Sequence, residues 1–349
     1  MQPPVVLALD GNSLVHRSFH AQASSDQPSW AVRGLLTQLV AAVDRVRPAV
    51  VVVGFDDARR SVRREQWPNY KANRVDKLDS LVQQLELAVA TMRELGIAVV
   101  VPDGLEADDV LASVAALSRS AGARTVIVTS DRDAFALIDE HTDVLRIING
   151  GVDASPLMTD ERLVTLVGVH AWQYRDYAAL RGDPSDNLPG VRGIGPHHAA
   201  RLLAEFGAAS AAFDDIEQVR SKLGHGVAAR LAHPDARAAW QLNCQVMTMR
   251  DDVVMDVALA AGPGVLPLSP QSVAATFAAH NLTWTTARAV GVLADADYEP
   301  PKAPPALPTW MRWSGPGAKP VSDEPSRRHT PRVRLVARRP AVEQLSLFD

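Results

Sequence analysis

Acidic residues recur in this sequence at one kind of position, directly after short runs of β-branched and aliphatic residues. Asp10 follows Val6-Leu7-Ala8-Leu9, Asp56 follows Val51-Val52-Val53-Gly54-Phe55, and Asp131 with Asp133 follows Val126-Ile127-Val128-Thr129-Ser130. Glu106, Asp108 and Asp109 come just after the run 99–101, and Asp183 and Asp186 lie farther along. A lone Asp after a strand is commonly a turn former or a helix N-cap. Capping does not account for the set, because a helix needs one such carboxylate, whereas 106–109 supplies three and 131–133 supplies two. Like charges this close together destabilise one another unless a counter-ion sits between them. A donor set of carboxylate oxygens, with one cysteine in the chain and no clustered histidines, points to Mg²⁺ or Mn²⁺ and away from zinc. Two such ions about 4 Å apart can activate a water and stabilise the leaving oxygen of an in-line phosphodiester displacement. Asp57, Asp103 and Asp139 fall off the pattern and are expected to be solvated loop or cap residues.

The elements that must position these groups are legible as alternating runs. Strand-like stretches occur at 5–9, 50–55, 98–101, 125–129 and 144–148, with helical stretches at 31–46, 78–95 and 108–118 between them. This alternation predicts a doubly wound, mostly parallel α/β sheet over 1–178. In such sheets the functional crevice lies beyond the carboxyl ends of the strands, where the acids stand. From about 179 the pattern changes to helices punctuated by glycine, which predicts a helical domain over 179–297. Ten of the last fifty residues are proline and no apolar period survives there, so 298–343 reads as a disordered or extended linker. An apolar cluster, Gln344-Leu345-Ser346-Leu347-Phe348, closes the sequence.

The 349 residues carry a formal net charge of −4, unevenly spread. From Pro300 onward 9 Lys and Arg face 4 Asp and Glu, about +5, which leaves about −9 for 1–299. A negative body argues against a simple polyanion binder and fits carboxylates gathered for cations. Cys244 is the one cysteine, which excludes an internal disulfide and a Cys-based zinc site. No apolar run approaches the roughly 20 residues of a membrane span and no signal peptide is legible, so a cytoplasmic location is expected. One basic segment stands out: Arg59-Arg60-Ser61-Val62-Arg63-Arg64-Glu65-Gln66-Trp67-Pro68-Asn69-Tyr70-Lys71-Ala72-Asn73-Arg74 interleaves cations with aromatics. It suits a nucleic-acid strand passing near the acids, or else a solvated basic helix.

Four separated motifs resemble the bacterial 5′-to-3′ exonuclease and flap endonuclease family, which includes the N-terminal nuclease domain of bacterial DNA polymerase I. They are Leu9-Asp10-Gly11-Asn12-Ser13 with Arg17 and Phe19, Gly104-Leu105-Glu106-Ala107-Asp108-Asp109-Val110-Leu111-Ala112, Thr129-Ser130-Asp131-Arg132-Asp133, and the run from Arg181 through Asp183, Asp186, Gly190 and Gly193 to Gly195. The resemblance covers about 5–290. It implies a PIN-like nuclease core with an arch at about 57–80, a helix-three-turn-helix DNA-binding domain, and a stand-alone, monomeric, nucleoid-associated enzyme acting on DNA with 5′ ends or flaps. It further implies two ions: Asp10, Asp56, Glu106, Asp108 and Asp109 around one, and Asp131, Asp133, Asp183 and Asp186 around the other. Lys71 and Arg74 are expected to face the scissile phosphate and Tyr70 to stack on a base, with Arg17, Arg64, Gly190, Arg192, Gly193 and Gly195 contacting DNA. Relatives often carry Lys where His197 or His198 stands, and prolines where Val75-Asp76-Lys77-Leu78 stands. The closing residues Gln344, Leu345, Leu347 and Phe348 resemble the peptide by which bacterial replication and repair proteins bind the sliding clamp. A non-catalytic DNA-binding or clamp-associated protein on the same fold is the rival reading; it predicts missing acids, and all nine are present.

Overall fold

The computed structural model describes residues 3–21, 28–74 and 77–298. The linker and the clamp-like peptide of 299–349, and positions 75–76 of the arch, lie outside the described residues. The chain begins β1 (Val5–Asp10), α1 (Gly11–Ala21), α2 (Trp30–Val46), β2 (Val50–Gly54), α3 (Val62–Gln66), α4 (Asp79–Leu95) and β3 (Ala98–Val100). It continues α5 (Ala107–Ser120), β4 (Arg124–Thr129), β5 (Thr142–Arg146), α6 (Gly151–Ala154), β6 (Leu157–Met158) and α7 (Asp160–Val167). A short ribbon and eight further helices follow: α8 (Tyr174–Arg181), β7 (Gly182–Asp183), β8 (Leu188–Pro189), α9 (Pro196–Phe206), α10 (Ala209–Asp214), α11 (Ile216–Leu223), α12 (His225–Leu231), α13 (Ala236–Val246), α14 (Pro270–Ala279) and α15 (Thr286–Ala294).

The main sheet has the order β3-β2-β1-β4-β5-β6, parallel except for β6, which runs against β5. The chain winds outward from β1 on one side and then restarts at β4 on the other, so the strand order reverses between β1 and β4. Asp10 ends β1 and Asp131 follows β4, which puts both at this switch point. The strands are apolar at nearly every position because both faces are covered. Val6 and Ala8 enter the core shared with α5 and the helices from α8 to α13, while Leu7 and Leu9 enter a second core with α1, α2 and α4. Burying each such leucine is worth about 1.5–3 kcal/mol.

Two features depart from the sequence reading. The fifth strand is Thr142–Arg146 rather than 144–148, because Thr142 and Asp143, polar as they are, pair in register with Thr125 and Val126. The stretch 179–297 also divides. Helices α8 to α13 pack on one face of the sheet, whereas Val273, Phe277, Ala289, Val290 and Leu293 of α14 and α15 lie in the opposite core with α2 and α4. The crossing is made at 264–268, where Gly264 accepts from the Val51 N–H at 2.8 Å and Leu266 N–H donates to Ala49 at 2.9 Å. Gly264 has φ +83, and a Cβ there would stand 2.2 Å from the Val51 carbonyl oxygen, so only glycine lets the backbone pass.

Candidate active site

The carboxylates expected from sequence gather along the carboxyl edge of β1, β2 and β4. Asp10 is 5% exposed and is fixed from both oxygens: Ser13 N–H donates at 2.9 Å and the Thr129 hydroxyl at 2.7 Å. Asp56 is held by the Asn12 amide at 2.6 Å and accepts from Ala107 N–H at 3.0 Å, the first residue of α5. Glu106 is the N-cap of α5, and Asp109 closes the capping box by accepting from Glu106 N–H at 3.1 Å. Asp108, between them, has no hydrogen-bond partner among the described residues. The Asp131 and Asp133 pair is tied by Asp133 N–H donating to Asp131 at 2.9 Å. Asp183 accepts from the N–H and hydroxyl of Ser185 at 2.8 and 2.7 Å. The ribbon β7–β8 carries Asp183 and Asp186 back toward the arch, where Lys71 N–H donates to the Asp186 carbonyl at 2.9 Å.

The acids perturb each other as one field. Burial raises the Asp10 carboxyl to about 7, with Asp56 and Asp131 adding to the rise against the bonds from Ser13 and Thr129. Burial raises Asp108 well above the carboxylate range, reinforced by Asp131 and Asp10. Burial raises Asp133 to about 8, reinforced by Asp131, Asp183 and Asp186. Such upward shifts arise where buried carboxylates crowd together with little positive charge beside them. The donor chemistry, all oxygen and crowded, fits hard divalent cations. Among the described residues, however, no three acidic or histidine side chains already surround a common point at which an ion could sit.

Basic side chains from the arch pair with several of these acids. Arg63 spans Glu106 and Asp109, at 2.8 Å from the latter, and is 11% exposed. Lys71 donates to Glu106 at 3.0 Å, Arg74 pairs with Asp186, and Lys77 stands 3.9 Å from Asp56. These partners hold Glu106 below the usual carboxylate range in spite of its burial. Tyr70 is not a stacking platform in this arrangement. Its ring is 4% exposed, its hydroxyl donates to Glu106 at 3.0 Å, and Lys71 lies 4.6 Å from the ring centre. The sequence picks out an aromatic in a basic run, but not that the ring packs inward with Leu188 and Val246.

Between the arch and α4 opens a cavity of about 1480 Å³, bordered by Arg59, Arg60, Arg64, Arg74, Lys77 and Arg93 and reaching Asp56 and Glu106. Arg64 is exposed in it. His16 also borders it; burial and then the charge of Lys77 push this imidazole down to about 4, so it is neutral at pH 7. Of the acids set aside on sequence grounds, Asp57 caps its own loop through Arg59 and Gly104 N–H, each at 2.8 Å, and Asp139 pairs with Arg119.

Comparison with known proteins places this geometry. The family model for the 5′-3′ exonuclease N-terminal resolvase-like domain matches residues 5–187, and that for the 5′-3′ exonuclease C-terminal SAM fold matches 169–266. The chain belongs to the 5′-3′ exonuclease family. DNA polymerase I of Mycobacterium tuberculosis is 36% identical over 275 residues, covering 76% of this chain and 29% of that protein. The thermostable DNA polymerase I of Thermus aquaticus is 34% identical over 259 residues, covering 73% of this chain and 30% of that protein. The chain thus spans about three tenths of the length of these relatives. Among solved structures, bacteriophage T5 5′-exonuclease with divalent metal ions (zinc) bound shares the fold at TM-score 0.55 and 17% identity, over 82% of this chain and 93% of that one. The catalytic core of Rad2 in complex with DNA substrate does so at 0.54 and 15%, over 84% and 92%.

The SAM-like part of this chain presents the loop 190–195 between β8 and α9. The glycines there serve different ends. A Cβ at Gly190 would lie 2.3 Å from the Arg181 carbonyl, so its need for glycine comes from the backbone crossing beneath it. Gly193 has φ +80, while Gly195, N-cap of α9, has open space around it, and Arg192 is exposed beside them. His198 is held below its ordinary pKa by burial and then by the charge of Arg230. Two residues of the site were not singled out from sequence. Asn12 lies within a quoted motif, and Arg63 adjoins the chosen Arg64; nothing in a linear run of four arginines says which one turns inward. Among the described residues no helix is long and apolar enough to cross a membrane.

Proposed function

We propose that this chain hydrolyses phosphodiester bonds at the 5′ ends or 5′ flaps of DNA, using two Mg²⁺ or Mn²⁺ ions, in primer removal or repair. The observation that carries the reading is the unbroken field of carboxylates at the β1/β4 switch point, with Asp10, Asp108 and Asp133 raised in pKa by burial and by one another. Asp10, Asp56, Glu106, Asp108 and Asp109 are assigned to one ion, and Asp131, Asp133, Asp183 and Asp186 to the other. Bound there, such ions lower the pKa of a water and neutralise the leaving oxygen. Lys71 and Arg74 reach the same acids from the arch, and a phosphate entering the site offers them an alternative anion. The DNA held by the Rad2 core and the metal ions held by the T5 enzyme support the assignment by likeness of fold. On a matched set of 5′-flapped, nicked and blunt duplexes, Mg²⁺ is expected to release short 5′ products from the flapped and nicked substrates, and EDTA to abolish release. Cleavage that persists in EDTA, or products released from 3′ ends, overturns the reading.

The peptide Gln344, Leu345, Leu347 and Phe348 is assigned to the sliding clamp, at the end of a proline-rich tether that raises the local enzyme concentration. Deleting 344–349 is expected to remove clamp binding in surface plasmon resonance while cleavage of naked DNA persists; an unchanged clamp affinity rejects the assignment.

A further inference from the structure

One cation reaches the loop 190–195 from outside it. Helix α12 buries Val227, Ala228 and Leu231 in the core that also takes Val191 and Ile194 of the loop, which leaves Arg230, half-buried, at the rim of that packing. Its side chain lies on Gly193. A Cβ there would stand 2.9 Å from the Arg230 Nε and 3.0 Å from its Cδ, so the bare glycine, besides adopting φ +80, leaves the place in which the arginine stem rests. The guanidinium extends past the loop to α9, where its Nη1 faces the Nε2 of His198 at 3.5 Å. No carboxylate answers it. Among the described residues Arg230 forms no ion pair, and neither do the exposed Arg192 of the loop and Arg201 of α9.

Cations on the neighbouring helices are placed differently. On α11 Arg220 meets Glu217 at 3.0 Å and Lys222 meets Glu205 at 3.4 Å, and on α13 Arg237 meets Asp214. Arg230 instead has its stem fixed and its fork open. A guanidinium so held is ordered before any anion arrives, so little conformational freedom is lost on binding, and its planar donors suit phosphate oxygens. Beside it a hollow of about 380 Å³ opens on the backbone of 190–195, with Arg181 and Arg192 at its border. No aromatic ring borders that hollow, so it offers unpaired bases nothing to stack on and suits the backbone of paired DNA. We propose that Arg230, reaching over from α12, supplies a phosphate contact to duplex DNA and grips its backbone beside the loop together with Arg192. The proposal deepens the nuclease reading above and rests on it.

The test measures binding of the full chain to labelled DNA by fluorescence anisotropy across a salt series, in EDTA, for a blunt duplex, a 5′-flapped duplex and a single strand. Arg230→Met keeps a stem on Gly193 and removes the charge. It is expected to weaken binding to both duplexes about five- to tenfold and to lower the slope of log K against log salt by about 0.9, one phosphate contact, with the single strand little changed. Arg230→Lys is expected to restore the slope. Arg220→Met, which removes a charge already met by Glu217, is expected to leave the slope as in wild type. Thermal unfolding checks that each variant is folded, and Arg230→Gln is read in the same way if Arg230→Met is not. A wild-type slope on duplex DNA in the folded variant overturns the contact, and an equal loss on the single strand overturns its assignment to paired DNA. Wild-type protein that binds and, in Mg²⁺, cuts flapped DNA while the Arg230→Met slope is unchanged rejects this contact alone. Wild-type protein that neither binds nor cuts any of the three DNAs counts against the nuclease reading itself.

Discussion

Asp108→Asn is expected to lower the rate of Mg²⁺-dependent flap cleavage by on the order of 10³-fold or more, the scale on which removal of a charge-bearing active-site group acts. The same substitution should raise the melting temperature of the metal-free protein. The two effects have opposite signs for one reason. Asp108 has no hydrogen-bond partner among the described residues and faces Asp131 and Asp10, so its charge is a burden to the fold and an asset to cation binding. The pH dependence follows. A buried acid with a raised pKa keeps its proton in the folded chain after the unfolded chain has released it, near pH 4. Its contribution to stability is intact below that pH and is lost as pH rises through the folded value, about 7 for Asp10 and about 8 for Asp133. Metal-free wild-type protein is therefore expected to melt at lower temperature at pH 8 than at pH 5, with Mg²⁺ restoring stability at pH 8. Asp108→Asn flattens that dependence. Calorimetric scans in EDTA across this range, beside single-turnover cleavage, read both effects; wild-type-like cleavage by a folded Asp108→Asn protein rejects the proposed metal site.

Arg63→Ala is expected to destabilise the fold by about 3–5 kcal/mol, the usual cost of removing one partner from a buried ion pair. Arg63 is 11% exposed, and its partners Glu106 and Asp109 are 10% and 2% exposed at their side chains, so water cannot take its place. It also donates to the Thr248 carbonyl at 3.2 Å, joining the arch to the segment after α13. Arg64→Ala, one residue on, is exposed and should change stability by less than about 0.5 kcal/mol. Arg63→Lys is expected to recover part of the loss, because an ammonium cannot span two carboxylates as the fork does. Urea titration reads these as shifts in midpoint at constant slope. Equal midpoints for Arg63→Ala and Arg64→Ala would falsify the inward role given to Arg63.

The acids were legible in the sequence because strand ends are local features. A run such as Val126-Ile127-Val128 stops where the chain leaves the sheet, and whatever follows stands at the edge. Asp10, Asp56, Glu106, Asp108 and Asp131 could therefore be placed before any coordinates. The likeness to the 5′-3′ exonucleases rested on the same short motifs. The base-stacking role expected of Tyr70 was not supported, since the ring's environment depends on Leu188 and Val246, more than a hundred positions away. Nor does the sequence show that the glycine at 190 leaves room for the Arg181 carbonyl, which a Cβ there would meet at 2.3 Å. Helices α14 and α15 looked like a continuation of the helical run, and it is the passage of Gly264 past Val51 that delivers them to the opposite core.

What the sequence determined by itself was which residues carry charge at the ends of strands, because strand periodicity and the breaks that end it are written in neighbouring positions. What only the tertiary structure decided was which cation answers which anion. Arg63, Lys71, Arg74 and Lys77 of the arch face carboxylates drawn from β2, α5 and the approach to β8. That pairing depends on distances across the crevice, between groups separated by tens to more than a hundred residues, and no local pattern of residue types encodes such a distance.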